Sequence, residues 1–144
     1  MTDKSINQTI KLSKISFGCS SYWSKPFFSE EKALKILHKA YENNVNYFHT
    51  APHYNVGEKR LGNFIKTYKP KGIFFSTAAG RYHFDSKNFI PDLDTKEIEK
   101  SIDSSLKNMN LNTIDIVFLY GLFKKDSSSH ELTNKLSAIK NSGK

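Results

Sequence analysis

The chain has 144 residues, of which 38% are hydrophobic, and we expect one domain over residues 1–144 with its own hydrophobic core. Its net charge of +8 comes mainly from 20 lysines, which are spread along the chain and form no basic stripe interleaved with aromatic residues. This distribution indicates a solvated basic surface and no nucleic-acid partner. No apolar run is long enough to span a membrane and no apolar leader opens the chain, so we predict a cytoplasmic protein with no membrane partner.

The first half of the chain alternates short apolar runs with amphipathic segments. Residues 12–17 and 45–50 are apolar runs typical of strands. Between them, Ser29 precedes two glutamates and a run with helical spacing, which predicts a capped helix with acids at its positive end. A second helix is predicted over residues 57–68, because its apolar residues share one face and Pro70 prevents continuation.

The second half repeats the same alternation. Residues 73–77 are predicted to form a buried strand, and residues 114–119 are the most strand-like run of the chain. Residues 79–94 are predicted to form a long loop. A third helix is predicted to begin at Thr95. A polar loop precedes a fourth helix, which is predicted to end at Gly143. Strands and helices therefore alternate, four of each, which predicts parallel βα units.

One segment resembles a known family. Residues 46–62 read NYFHTAPHYNVGEKRLG. They resemble the second strand, loop and helix of the aldo-keto reductases, where an aspartate lies five residues before the catalytic tyrosine and Glu and Leu-Gly open the helix. Tyr54 stands at the tyrosine position, and His49 stands at the aspartate position.

The resemblance continues along the chain. Residues 74–82, FFSTAAGRY, are similar to the third strand of the family, with Ala78 at the position of the catalytic lysine. Residues 101–120 are similar to its third helix and fourth strand, with Tyr120 at the position of the catalytic histidine. The resemblance implies an α/β fold that is the N-terminal half of a TIM (β/α)8 barrel, since a whole barrel needs about 250 residues.

The resemblance also implies a chemistry. In the family, the tyrosine protonates a carbonyl oxygen while NADPH delivers hydride, and a lysine paired with the aspartate tunes the phenol. An unassisted tyrosine has a pKa of about 10, which suits acid–base work at neutral pH poorly. Of the four catalytic positions Tyr54 alone is retained, because His49, Ala78 and Tyr120 replace the others.

Cofactor binding is expected to be absent from this chain alone. TIM barrels place their phosphate sites after strands seven and eight, and the family holds NADP mainly with such late loops. We therefore expect an aldo/keto reductase-like protein that is truncated and catalytically degenerate, with the NADP-dependent oxidoreductase fold and without turnover of its own.

Two other hypotheses remain open. In the first, the chain is half of a split or oligomer-completed NADP-dependent carbonyl or sugar oxidoreductase, completed by a second copy or by a complementary C-terminal half-barrel chain. In the second, it is a non-catalytic module that binds a small ligand or a protein. The candidate pocket residues are Trp23, Arg81 and Tyr82, and packing of the loop after the first strand is the favoured alternative for Trp23.

The other reactive residue types carry weaker signals. His49 and His53 are four residues apart, but Pro52 breaks helical spacing and no third ligand is evident, so no metal site is predicted. Cys19 is the one cysteine, which excludes an intrachain disulfide, and the sequence favours a buried thiol over a nucleophile. Neither a Rossmann fingerprint nor a P-loop occurs in the chain.

Overall fold

The computed structural model describes residues 10–85, 88–92, 95–120 and 130–144. The strands of this part of the chain are β1 (Phe17–Gly18), β2 (Tyr47–His49), β3 (Phe74–Ala79), β4 (Arg81–Asp85), β5 (Asn88–Asp92) and β6 (Ile116–Leu119). Its α-helices are α1 (Glu30–Glu42), α2 (Gly57–Tyr68), α3 (Thr95–Met109) and α4 (His130–Asn141). Strands β1, β2, β3 and β6 form one parallel sheet in that order, and β4 pairs with β5 in a separate antiparallel sheet.

The helix ends follow the predicted signals. The Ser29 side chain accepts a hydrogen bond from the Lys32 backbone N–H at 3.4 Å and caps α1, whose first turn carries two glutamates. Helix α2 ends before Lys69, which has a left-handed backbone (φ 47°), one residue ahead of Pro70. The predicted helices at residues 57–68 and from Thr95 are confirmed with the same first residues.

The predicted strand at residues 12–17 is wrong for most of its length, because only Phe17 of that run belongs to β1. The backbone that precedes β1 is held by hydrogen bonds to a side chain and not by hydrogen bonds to a neighbouring strand. Asn46 Oδ1 accepts from the Ser13 N–H at 2.6 Å, and Asn46 Nδ2 donates to the Lys11 carbonyl at 2.9 Å. An amide side chain thus satisfies groups that a neighbouring strand would otherwise pair.

The predicted loop at residues 79–94 is also wrong, since most of it forms the β4–β5 hairpin, in which Arg81 pairs with Asp92. Gly80 has a φ of 101°, a conformation that glycine adopts readily, and it separates β3 from β4. β4 contains Tyr82 and Phe84, and β5 contains Phe89 beside Ile90, residue types that are enriched in strands. The polar loop predicted before α4 lies outside the described residues.

The parallel sheet has two different faces. The outer face packs against the helices and builds the core, which includes Phe48, Phe75, Leu37, Phe64, Ile98 and Ile102. The inner face carries the alternate positions of the same strands, namely Tyr47, His49, Ser76, Ala78 and Phe118. Phe118 keeps 48% of its surface exposed there. Strands β1 and β6 are the edges of this sheet in the described part of the chain.

Helix α2 carries a buried cation. Arg60 is only 2% exposed, and its guanidinium donates to the backbone carbonyls of Trp23 and Phe28. Its Nε also donates to Glu30 Oε2 at 2.9 Å. Because both carbonyls belong to the connection between β1 and α1, one side chain fixes that connection and the start of α1 to helix α2.

A buried anion lies on another side of the same helix. Glu58 is 3% exposed and accepts hydrogen bonds from Thr77 Oγ1 and from Asn108 Nδ2, each at 2.9 Å. These bonds join α2 to β3 and to α3. Gly62 allows the close approach, since a Cβ there would lie 2.8 Å from the Asn108 carbonyl oxygen. No helix in the described part of the chain combines the length and apolar character needed to cross a membrane.

We expect Arg60→Met to lower the free energy of unfolding by about 2–4 kcal/mol, because it leaves two buried carbonyls and a glutamate without their donor. Urea unfolding followed by circular dichroism measures this change. Lys59→Met is the matched control, since Lys59 is exposed at the neighbouring position, and it should shift stability by less than about 0.5 kcal/mol. Equal losses in the two variants would contradict the role assigned to Arg60.

Candidate functional site

The carboxyl ends of the parallel strands converge at one end of the sheet. The Cys19 N–H donates to the His49 carbonyl at 2.7 Å, the Thr50 N–H donates to the Ser76 carbonyl at 2.9 Å, and the Tyr120 N–H donates to the Ala79 carbonyl at 2.9 Å. These bonds extend the ladder past the last residue of each strand and hold the loops in register. In parallel α/β proteins this end of the sheet is where ligands bind.

The four positions that the resemblance singled out lie together at this end. The rings of His49 and Tyr54 are 6.1 Å apart and nearly perpendicular. The His53 ring lies 4.5 Å from that of Tyr54 and 5.1 Å from that of Tyr120. Ala78, Tyr120 and His49 line a common cleft. The fold therefore gathers these side chains although the sequence separates them by up to 71 positions (120 − 49).

Two clefts open beside them. The first, here called the inner cleft, has a volume of about 410 Å³ and lies on the inner face between Gly18, Tyr47, His49, Ala78, Phe118 and Tyr120. The second, here called the outer cleft, has a volume of about 480 Å³ and lies between His53, Ala78, Glu97, Lys100, Ser104 and Tyr120. Ala78 and Tyr120 belong to both, so a methyl group and a phenol separate the two spaces.

A chain of hydrogen bonds runs along the inner face. Tyr47 Oη lies 2.8 Å from Ser76 Oγ, and His49 Nδ1 lies 2.8 Å from the same oxygen. The sequence analysis missed Ser76 and Tyr47. Each precedes a singled-out residue by two positions in a strand, and this spacing places a residue on the same face of a sheet.

Burial favours the uncharged form of the two imidazoles at the site, because it lowers the pKa of each. Burial lowers the pKa of His49 from its ordinary value of 6.5. Burial also lowers the pKa of His53, where the carboxylate of Glu58 acts in the opposite direction and His49 acts in the same one. Ala78, which lines both clefts, has no ionisable group and is 2% exposed. The inner cleft is thus lined by uncharged side chains.

The other predicted residues lie elsewhere. Trp23 is 8% exposed and donates from Nε1 to the Ala33 carbonyl at 3.3 Å, so it packs in the core and the pocket assignment for it is corrected. Cys19 is fully buried, and burial raises the pKa of its thiol, as expected for a structural cysteine. Arg81 and Tyr82 belong to β4, and their side chains lie outside the described part of the structure.

Metal-binding chemistry has little support in the described residues. They contain no group of three or more histidine, cysteine, aspartate or glutamate side chains arranged to hold an ion. The arrangement can instead offer hydrogen bonds from phenols, a serine hydroxyl and neutral imidazoles, next to the aromatic surface of Phe118.

Comparison with known proteins places this geometry in a family. Residues 14–144 match the model of the aldo/keto reductase family. The chain is 32% identical over 132 residues to D-threo-aldose 1-dehydrogenase of a Pseudomonas species, covering 76% of this chain and 38% of that protein. It is 30% identical over 146 residues to L-galactose dehydrogenase of Arabidopsis thaliana, covering 96% of this chain and 44% of that protein.

A solved structure agrees. An aldo-keto reductase from Bacillus halodurans, in its holo form, superposes with a TM-score of 0.73 at 25% identity over 92% of this chain and 43% of its own. The chain thus spans less than half the length of these relatives, and its parallel sheet and four helices match the N-terminal part of their TIM barrel. The predicted family and fold class are confirmed. The chain belongs to the aldo/keto reductase family.

Proposed function

We propose that this chain is an aldo/keto reductase-like module that binds a small uncharged polar ligand at the carboxyl end of its sheet and does not transfer hydride by itself. The observation that carries the proposal is Ala78, which lies beside His49 and Tyr120 where the family resemblance places a lysine. The two sequence relatives are named D-threo-aldose 1-dehydrogenase and L-galactose dehydrogenase, which supports an uncharged ligand that carries an oxygen acceptor.

The acid–base argument starts from Tyr54. A phenol serves as a proton donor near neutral pH when a neighbouring positive charge lowers its pKa. The His53 ring lies 4.5 Å from the Tyr54 ring and the His49 ring lies 6.1 Å from it. Burial lowers the pKa of both histidines and favours their uncharged forms. Ala78 supplies no charge either. The family's tuning of the tyrosine by a lysine and an aspartate therefore has no equivalent in these side chains.

The cleft residues also do not fit a phosphate-bearing dinucleotide. The inner cleft is lined by uncharged side chains, and Lys100 of the outer cleft donates to Glu97 at 2.7 Å. Phosphates are held by clustered cations and backbone N–H groups, which TIM barrels place after strands seven and eight. The described parallel sheet supplies β1, β2, β3 and β6. We derive no step through NADP for this chain alone.

The purified 144-residue chain should therefore bind NADPH weakly and leave simple aldehydes unreduced. Fluorescence titration with NADPH up to millimolar concentration and an absorbance assay with a small aldehyde measure both. A full-length aldo-keto reductase assayed in parallel is the positive control. Affinity near the micromolar range, or turnover above the rate without protein, would overturn the proposal.

Restoring the family residues should not restore turnover in the same chain. The variant His49→Asp, Ala78→Lys, Tyr120→His restores the four residue types that the family uses for acid–base chemistry. These residues act as a unit, and their chemistry needs a bound cofactor that supplies the hydride. Urea unfolding of the triple variant verifies that it is folded before the assay. Measurable aldehyde reduction by a folded triple variant would show that the chain holds the cofactor after all.

A second copy of this chain is the partner that the sheet favours. The outer edges of β1 and β6 have backbone groups directed away from the sheet, and the inner face leaves the Phe118 ring about half exposed. Such edges and faces associate. Two copies related by a twofold axis would place β6 of each beside β1 of the other and give eight parallel strands, the number in a TIM barrel.

Light scattering coupled to size exclusion should then give a species near twice the chain mass of 16.5 kDa. Phe118→Lys should shift it towards the monomer, because it places a charge on the face that the second copy covers. Phe27→Lys is the matched control, since Phe27 is 71% exposed in the connection between β1 and α1. A stable monomer of the unchanged chain would rule out the second copy and leave a complementary half barrel as the candidate partner.

A further inference from the structure

Three side chains of the inner face share one hydroxyl. Ser76 is fully buried and pairs with His49 in the register of β2 and β3. Its Oγ lies 2.8 Å from Tyr47 Oη and 2.8 Å from His49 Nδ1. The Phe118 ring meets the His49 ring at 5.5 Å and at 90°, so the imidazole is held by contacts on more than one side.

The protons that Tyr47, Ser76 and His49 can donate to one another can be counted. Each hydroxyl has one O–H, and a neutral imidazole has one N–H and one nitrogen that accepts. In what is here called the forward direction, Tyr47 donates to Ser76 and Ser76 donates to His49 Nδ1, so both hydroxyl protons have acceptors among the three side chains. The forward direction leaves the His49 Nε2–H without an acceptor among the three side chains, and the reverse direction leaves the Tyr47 O–H without one. A phenol is a stronger hydrogen-bond donor than an alcohol, and an imidazole nitrogen is a stronger acceptor than a phenol oxygen, so the forward direction makes the two stronger bonds. The forward direction is therefore favoured.

The forward direction decides the state of His49. Since Nδ1 accepts from Ser76, the ring proton is on Nε2, at the opposite edge of the imidazole from Ser76. His49 lines the inner cleft, whose other lining residues include Tyr47, Phe118 and Tyr120. These residues offer aromatic surface and no charge. A charged ligand would lose its hydration there without gaining a counter-ion.

We propose that Ser76 and Tyr47 are positioning residues that fix His49 as the Nε2–H tautomer, and that the inner cleft thereby takes an uncharged ligand with a flat apolar face and one oxygen acceptor. The ligand half of this inference rests on the proposed function, namely that the inner cleft binds a small molecule. The tautomer half stands on the two distances that join Tyr47, Ser76 and His49 and on the donor and acceptor strengths of these three groups.

Nitrogen-15 spectra of the imidazole rings at pH 8 test the positioning role directly. The chain has five histidines, and the signals lost in His49→Gln identify the ring in question. The unchanged chain should show the proton on Nε2. Ser76→Ala should give a mixture of tautomers. Tyr47→Phe should give a smaller change in the same direction, because without the hydrogen bond from the phenol the Ser76 hydroxyl can either donate to Nδ1 or accept from Nδ1–H.

Ser137→Ala is the matched control, because Ser137 is an exposed serine of α4, and it should leave the His49 signals unchanged. Tyr47→Phe keeps the test open if Ser76→Ala does not fold. A proton on Nδ1 in the unchanged chain, or folded variants with the same tautomer as the unchanged chain, would overturn the positioning role.

Benzamide and benzoate test the ligand class, since they share a ring and differ in charge. Benzamide should shift the His49 signals, and Ser76→Ala should weaken its binding roughly three- to tenfold, the range expected when one neutral hydrogen bond is lost. Benzoate should leave those signals in place at the same concentration. Equal or tighter binding of benzoate, or no shift with benzamide, would overturn the ligand class. NADPH binding would overturn the proposed function and leave the tautomer result standing.

Discussion

The buried guanidinium of Arg60 is the interaction on which the geometry of this end of the molecule depends. Because arginine keeps its charge at any accessible pH, the groups around it must supply acceptors wherever the chain places it. The Trp23 and Phe28 carbonyls and Glu30 do so, and they draw the connection between β1 and α1 onto helix α2. The rings of Trp23 and Phe28 also lie 5.7 Å from the guanidinium carbon.

That connection in turn fixes the loop that carries Tyr54. Gly57 opens α2 against the end of β1, and a Cβ there would lie 2.6 Å from the Cys19 carbonyl oxygen. The Gly57 N–H donates to the Tyr54 carbonyl at 2.8 Å, and the Tyr54 N–H donates to the Ala51 carbonyl at 3.0 Å. The phenol therefore stands beside His49 because helix α2 cannot move away from β1 without breaking the Arg60 contacts.

Much of this architecture could be predicted, because helical periodicity and caps are local signals. Helix α2 was predicted from residue 57 to residue 68 and has those bounds. The short β1 could not be predicted, since Asn46 lies 33 positions from Ser13, whose backbone it holds. The burial of Glu58 and Arg60 was missed for a related reason. A charged residue in a helix indicates a solvated face unless its partners are known, and these partners come from distant segments.

The two faces of the parallel sheet separate the residues that stabilise the fold from those that line the site. Residues of the outer face build the core, whereas those of the inner face line the clefts, so substitutions at inner positions leave the core packing in place.

At two of these inner positions the family resemblance places an aspartate and a lysine, and this chain has His49 and Ala78. Removing one member of a buried ion pair costs about 3–5 kcal/mol, whereas replacing both by uncharged groups is often neutral. With Ala78 only 2% exposed, a lone lysine at this position would be a buried charge without its partner. Electrostatics therefore couples the side chains at positions 49 and 78, because a lysine at position 78 needs an anion beside it, whereas Ala78 needs none.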